Sequence, residues 1–209
     1  MRVDGRIVRD PEFPTIHGVS RIEVDGTNID AVVATRRYLM LNKPRGLVTT
    51  TRDEHGRDTV YRCFDGADFG WIAPVGRLDK ASEGLLLFTN DPQWAARITD
   101  PASGSDKTYH VQVGRIPDEA ELRAMRDGIE CEGDLLRAKS ASLLRSGGKN
   151  AWLEIVLDEG RNRQIRRLLE SLDIGVLRLV RIAIGALQLV DLPKGQWREL
   201  TAVEIETLS

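Results

Sequence analysis

Residues 76 to 91 read Gly76-Arg77-Leu78-Asp79-Lys80-Ala81-Ser82-Glu83-Gly84-Leu85-Leu86-Leu87-Phe88-Thr89-Asn90-Asp91, a polar turn that runs straight into an apolar segment. A short apolar run bounded by turn signals is the pattern of a buried strand, here Leu85 to Thr89. The turn before it carries a carboxylate, Asp79, held from behind by the strand and open in front. A catalytic group needs such a setting, rigid support with access to solvent. The local pattern leaves two readings open. Aspartates near turns are commonly solvated or capping, and the rest of the chain must decide whether Asp79 does chemistry.

Outward from this strand the pattern is mixed. Upstream, Tyr38-Leu39-Met40-Leu41-Asn42-Lys43-Pro44 reads as a strand ended by a turn. Downstream, Asp91-Pro92 opens a short helix, with Asp91 as N-cap and Pro92 at the first helical position. Tyr109-His110-Val111-Gln112-Val113 alternates, placing Tyr109, Val111 and Val113 on one face of a strand. Asp118 with Glu121 resembles a capping box, and that helix ends near Gly128. Residues 143 to 150 form a hairpin loop or short linker. Beyond them come a strand from Trp152 to Leu157, a turn at Asp158-Glu159-Gly160, a helix from Asn162 to about Leu172, and strands at Leu177 to Ile184 and Ala186 to Val190. Strands and helices do not alternate as a parallel α/β sheet requires, so the fold class is α+β with a mixed, mainly antiparallel sheet. Residues 1 to about 30 are turn-rich, with short β-strands separated by Asp4-Gly5, Asp10-Pro11 and Asp25-Gly26. Twenty-odd residues cannot bury a core of their own.

Composition narrows the class. The chain has 209 residues, 41% of them hydrophobic, enough for a real core. No segment approaches the roughly 18 to 20 apolar residues of a membrane span. The N-terminal residues lack the apolar core of a signal peptide. Cys63 and Cys131 stand far apart without clustered histidines, so neither a zinc site nor a disulfide framework is expected. A cytoplasmic, soluble chain without metal or membrane contact is the expectation.

The net charge of −2 conceals 24 arginines against 6 lysines. Guanidinium presents a planar fork that matches phosphate oxygens and stacks on bases. High genomic GC content also enriches arginine, so clustering is the better test. Between positions 161 and 181, Arg161, Arg163, Arg166, Arg167, Arg178 and Arg181 face only Glu170 and Asp173, a local net charge of +4. A localised basic patch on a near-neutral chain fits a nucleic-acid binder. On a helical wheel Ile165, Leu168, Leu169 and Leu172 share an arc facing a core, and Arg163, Arg166, Arg167 and Glu170 share the opposite one. Three cations at a helix start repel one another and oppose the macrodipole. That face is either a solvated charged surface or the place where something anionic, a carboxylate or a phosphate, is met.

Three blocks carry a family resemblance: Gly76 to Asp91; Lys107-Thr108-Tyr109-x-Val111; and Glu159-Gly160-x-Asn162-Arg163-Gln164-Ile165-Arg166-Arg167. Together they resemble the signature blocks of the RsuA-type ribosomal RNA pseudouridine synthases. Leu41-Asn42-Lys43-Pro44-x-Gly46 resembles the family's entry strand and Leu179-x-Arg181-x-x-x-Gly185 its closing one. The resemblance spans about residues 36 to 200, in the right order, and implies a catalytic domain over 36–205 with a sheet of the pseudouridine synthase type and flanking helices.

It also implies roles. Asp79 matches the catalytic aspartate, Tyr109 the tyrosine that stacks on the target uracil, and Arg166 the basic residue that pairs with the aspartate. Arg77 would lie beside the flipped nucleotide, and Lys107, Arg161, Arg163, Arg167 and Arg181 would contact RNA. The implied reaction isomerises a specific uridine in ribosomal RNA to pseudouridine: the N1 glycosidic bond breaks, the base turns, and it is rejoined through C5. The aspartate acts at the sugar or at the ring, and no cofactor is implied. Elementary physics agrees, because a nearby guanidinium favours the ionised carboxylate. An aromatic plate stacks on a base for about 1–3 kcal/mol. Tyr109 has its own plain alternative as a core aromatic.

Residues 1–32 depart from the family pattern. They resemble the C-terminal half of the small RNA-binding module named after ribosomal small-subunit protein four, and the helices that normally precede that half are missing. A start codon placed too late is the favoured explanation, a decayed module the other. The expected partner is ribosomal RNA or an assembling ribosomal subunit, and the expected state is monomeric. A non-catalytic RNA-binding or ribosome-assembly protein with the same fold is the alternative, disfavoured because a pure binder gains little from a carboxylate among phosphates. A nucleoside or glycoside hydrolase is a third reading, but no second carboxylate stands at a predictable spacing.

Overall fold

A computed structural model describes residues 1–10, 12–16, 19–29, 35–100 and 105–208. Pro11 of the Asp10-Pro11 turn signal and the last residues of the 1–32 segment lie outside the described residues. The chain divides into two compact units, Met1–Arg36 and Arg37–Ser209.

The first unit holds strands β1 (Arg2–Val3), β2 (Arg6–Ile7), β3 (Ile22–Val24) and β4 (Thr27–Asn28), all neighbours antiparallel in the order β2-β1-β3-β4. Its two hairpins turn on Asp-Gly pairs with both residues left-handed, at φ 49° and 79° for Asp4-Gly5 and φ 50° and 79° for Asp25-Gly26. This is the two-residue hairpin turn that matches strand twist. The Asp4 carboxylate ties the hairpins together by accepting from Arg21 N at 2.8 Å. Among its described residues only Val3 and Val8 are buried apolar side chains.

The second unit is built on one large sheet. Its elements are β5 (Tyr38–Lys43), a 3-10 turn (Val60–Phe64), β6 (Ala73–Val75), β7 (Glu83–Thr89), α1 (Pro92–Thr99), β8 (Lys107–Val113), α2 (Glu119–Asp127), β9 (Ile129–Cys131), β10 (Asp134–Leu136), β11 (Ser140–Ser146), β12 (Ala151–Leu157), α3 (Gln164–Ser171), β13 (Val176–Ile184), β14 (Leu187–Gln188), β15 (Trp197–Glu199) and α4 (Ala202–Thr207). The strand order is β11-β12-β8-β13-β7-β5-β15, with β6 beside β7, β14 beside β13 and a separate β9–β10 hairpin. Every pairing is antiparallel except β13 with β7, so the sheet is mixed and mainly antiparallel, as expected.

The apolar run of β7 explains its central place. All seven residues are buried. Alternation sends Leu85 and Leu87 into a core with Trp94 and Ile98 of α1, and Leu86 and Phe88 into a core with Val60 and Phe64. A strand covered on both faces reads as an unbroken apolar run. Each such side chain contributes about 1.5–3 kcal/mol on burial. A third core, with Val111, Leu153 and Ile155 on the sheet, is closed by Leu168 and Leu169 of α3 and by Leu122 and Met125 of α2.

Local signals place several elements well. Asp91 caps α1 by accepting from Gln93 N and Trp94 N, and Asp118 with Glu121 forms a full capping box on α2. Two expectations need correction, and one element was not expected. The 143–150 loop shrinks, because β11 continues to Ser146 and pairs with β12, leaving a turn at 147–150. Helix α3 begins at Gln164 rather than Asn162, because Arg163 takes a left-handed conformation at φ 48°. The β9–β10 hairpin follows α2 directly and turns on Glu132-Gly133, with φ 52° and 83°.

Candidate active site

Asp79 lies in the turn between β6 and β7, and that turn is tied down by backbone rather than by its own carboxylate. Ser82 N donates to Asp79 O at 2.9 Å and Gly46 N to Lys80 O at 2.8 Å. Thr49 Oγ1 donates to Leu78 O at 2.8 Å. From below, Lys43 at the end of β5 is fully buried and its Nζ donates to Ser82 O at 2.9 Å, Pro44 O at 3.1 Å and Asp79 O at 3.2 Å. Burial lowers the Lys43 pKa to about 8, against the opposing pull of Cys63, Asp79 and Glu83. A lysine closing a strand that runs through Leu39-Met40-Leu41 was the sequence signal for this anchor.

The carboxylate itself points the other way and remains 31% exposed. One oxygen, Asp79 Oδ2, lies 3.7 Å from Arg163 Nη1 and 3.8 Å from Arg166 Nε. Arg166 is delivered by α3 and donates Nη2 to Ala81 O at 3.3 Å. Its Nε is buried and makes no hydrogen bond among the described residues, since 3.8 Å is too long for one. Burial lowers the Arg166 pKa, and repulsion from Arg163 adds to it, while Asp79 acts in the opposite sense. Arg163 arrives from the left-handed residue before α3 and is half exposed. The approach to α3 is held by Gln164, a buried side chain that donates to Glu159 Oε1 at 2.7 Å and Arg137 O at 2.9 Å.

Strands β8 and β13 make the floor. Tyr109 of β8 sits opposite Arg181 of β13 and Ile155 of β12, with its half-buried ring against two of the cores. Asp79, Tyr109 and Arg166 line one cleft of about 230 Å³, joined by Arg77, Lys107, Arg161, Arg163 and Arg181. Residues 30 and 87 positions beyond Asp79 are thus brought to one place by the sheet and by α3. Burial lowers the Lys107 pKa, and nearby Arg181 lowers it further.

Two of the proposed RNA contacts come out differently. Arg167 does not reach the cleft: its Nη2 donates to Cys131 O at 2.7 Å and to Asp134 Oδ2 at 3.0 Å, so it braces α3 against the β9–β10 hairpin. With Arg163 outside the helix, the shared arc of arginines dissolves. Arg181 is 6% exposed and donates Nε to Leu85 O at 2.8 Å, a buried floor residue rather than an outer phosphate contact. Arg161 lines the cleft while paired with Glu159 at 2.9 Å. Lys43, Thr49 and Gln164, which hold the site from behind, were not among the expected site residues. Among the described residues no three His, Cys, Asp or Glu side chains are grouped as a metal site needs.

A carboxylate between two guanidiniums, over a floor with a half-buried tyrosine, is the geometry carried by the three sequence blocks. A family-wide sequence profile described as RNA pseudouridylate synthase matches residues 37–171. The chain belongs to the RNA pseudouridylate synthase family. Its likeness to named members of that family extends over almost its whole length. It is 36% identical over 211 residues to the ribosomal large subunit pseudouridine synthase B of Pasteurella multocida, covering 99% of this chain and 61% of that one. It is 35% identical over 205 residues to the ribosomal large subunit pseudouridine synthase E of Vibrio vulnificus, covering 90% and 85% respectively. The chain spans about three fifths of the length of the first of these relatives. A crystal structure of a pseudouridylate synthase superposes with a TM-score of 0.76 at 32% identity, covering 100% of this chain and 88% of the other.

Proposed function

We propose that this chain isomerises a specific uridine of ribosomal RNA to pseudouridine, with Asp79 as nucleophile on a flipped-out nucleotide. The observation that carries the reading is the Asp79 carboxylate beside Arg163 and Arg166, in one cleft with Tyr109. The names of the relatives support ribosomal RNA as the substrate.

The chemistry follows from these groups. A uridine inside a stack cannot reach a carboxylate in a cleft, so it must be turned out, at a cost of a few kcal/mol. Tyr109 offers the flipped base a stacking surface, and Arg77 stands at the mouth beside the vacated position. Asp79 attacks at the sugar or at the ring while the N1–C1′ bond breaks. The base turns, C5 bonds to C1′, the bond to Asp79 breaks and returns the free carboxylate, C5 loses its proton and N1 gains one. No atom is added or removed, so the reaction is a balanced isomerisation. Arg163 and Arg166 favour the ionised carboxylate before attack and compensate negative charge shared between Asp79 and the detached base. Lys43 holds the Asp79 turn so that the carboxylate keeps its place as the base moves.

In this reading residues 36–205 form the catalytic domain and residues 1–32 part of an RNA-binding module. The chain acts as a monomer in the cytoplasm. The test is to map pseudouridines in ribosomal RNA from cells with the gene, without it, and with Asp79→Asn. One site is expected to disappear in both altered strains. A full set of sites in the deletion would overturn the enzyme and leave an RNA-binding role. A site lost in the deletion but kept with Asp79→Asn would overturn the role of Asp79.

A further inference from the structure

A second, larger cleft of about 460 Å³ adjoins the first, with Arg77, Leu78 and Asp79 as the shared wall. Its other side is the segment 48–57, and that segment is built rather than loose. Val48 N donates to Asp58 O and Val60 N to Val48 O, both at 3.0 Å. The Asp53 carboxylate accepts from Arg57 N at 2.7 Å, from Arg57 Nη2 at 2.6 Å and from His55 N at 3.2 Å. Hydrogen bonds from Arg57 hold the Asp53 carboxyl far below the usual carboxylate range. Asp53 and Arg57 thus satisfy each other, and Asp79 is compensated by Arg163 and Arg166.

What remains in this cleft is uncompensated. Among the described residues, the charged groups of Arg52, Arg77 and Lys80 make no ion pair or hydrogen bond, and neither does the carboxylate of Glu54. Arg62, Arg115 and Arg198, by contrast, are each matched by an acid, Asp58, Glu121 and Glu204 respectively. Exposed arginines and lysines left unpaired around a concave surface are what a phosphate backbone needs.

Chain continuity says which phosphates these are. A uridine turned into the Asp79 cleft stays bonded to the nucleotides before and after it, so a neighbour lies within one phosphodiester of that cleft, and the adjoining cleft across the shared wall is within its reach. On the reading of function given above, we propose that this second cleft is a subsite for the nucleotide adjacent to the target uridine. Arg52 and Lys80 meet its phosphates, and Glu54 accepts a hydrogen bond from its base. A carboxylate accepts but does not donate, so the subsite favours a base with an exocyclic amine, such as cytosine, over uracil. Arg77, on the wall, serves both nucleotides.

The test uses the full chain and ribosomal RNA from cells lacking the gene, then a short transcript around the mapped site. Arg52→Ala and Lys80→Ala should raise KM about tenfold with kcat within about twofold. Each should also flatten the dependence of log affinity on log salt by about 0.7. An abasic residue at one neighbour of the target should weaken binding in the wild type but cost nothing further in Glu54→Ala. Unchanged thermal unfolding excludes a folding cause. An active wild type with KM and salt slope unaltered by Arg52→Ala and Lys80→Ala overturns the subsite alone. So does a reduced salt slope with no coupling between Glu54 and either neighbour, which would mean phosphate contact without a base. A wild type that makes no pseudouridine overturns the functional reading, and the subsite falls with it.

Discussion

Gly84 and Arg181 meet across the single parallel strand pairing of the large sheet, so closely that a Cβ at position 84 would lie 2.2 Å from the Arg181 carbonyl oxygen. Gly84 also has φ +104°, a region that L side chains rarely adopt. The Gly in the Ser82-Glu83-Gly84 sequence is therefore what allows β7 to join β13. That pairing brings the Asp79 turn over the floor that holds Tyr109.

Gly84→Ala is expected to destabilise the fold by at least about 2–4 kcal/mol, combining overpacking and backbone strain. Gly148→Ala, with open space and ordinary φ, is expected to stay within about 0.5 kcal/mol. Urea unfolding of the two variants checks this, and equal midpoints would refute it.

Asp79→Asn should leave the fold intact and remove activity. The three bonds from Lys43 go to backbone carbonyls of the turn, and the carboxylate only touches Arg163 and Arg166. Arg166→Met should cost about 100-fold in kcat/KM, since its side chain is only 14% exposed. Arg163→Gln should cost less than about tenfold, because that side chain is half exposed. Single-turnover rates on ribosomal RNA rank the three; a larger loss for Arg163→Gln would reverse the assignment of the main counter-charge.

Tyr109→Ala should weaken the productive complex by about 1–3 kcal/mol, the value of one base stack. Tyr109→Phe keeps the ring and should retain binding. Comparable affinity losses in both would show that the hydroxyl, rather than stacking, makes the contact.

Lys43→Met probes the turn through pH. In the folded chain Lys43 has a pKa of about 8, against the ordinary 10.5. A lysine with a depressed folded pKa binds its proton more weakly folded than unfolded. Stability therefore rises with pH between about 8 and 10.5 and is level with respect to this group below 8. The wild type should gain on Lys43→Met across that window by up to about 3 kcal/mol. Activity should decline over the same range, since a neutral amine has two N–H donors for three carbonyls. Denaturation midpoints for both proteins at several pH values decide it; parallel curves would show that Lys43 does not titrate there.

Glu83 offers the opposite sign. Burial pushes its carboxyl up, but hydrogen bonds from Arg178 and Lys194 outweigh that and hold it below the usual range. Its contribution is present above the unfolded carboxyl pKa and is lost as pH falls through the lowered folded value. Glu83→Gln should cost about 1–2 kcal/mol at pH 7, because Arg178 and Lys194 are exposed enough to be rehydrated. The cost should fade in acid. A pH-independent difference in unfolding free energy would rule out the ion pair as its origin.

Much of this was legible in the chain wherever a signal is local. Asp91 before Pro92, the Asp118 and Glu121 pair and the Asp-Gly turns each act within four residues, and all three formed as read. The β9–β10 hairpin and α4 carried comparable signals, Glu132-Gly133 and the Thr201 and Glu204 capping box, that went unread. The helix start at 164 was not legible, because nothing local announces that Arg163 turns left-handed. Arg167 was legible as a surface arginine, but its acid, Asp134, lies 33 residues away.

The sequence alone determined the strand at 85–89, the capped helices, the mixed α+β class and the three blocks that mark the family, since each depends on residue type and short spacing. Only the tertiary structure decided which arginines stand at the carboxylate, that Lys43 anchors the turn from below, and that Arg167 is committed to a hairpin. These are contacts between residues far apart in the chain. Their partners are chosen by strand pairing and by space, and the nearest example is Gly84, whose missing side chain lets Arg181 through.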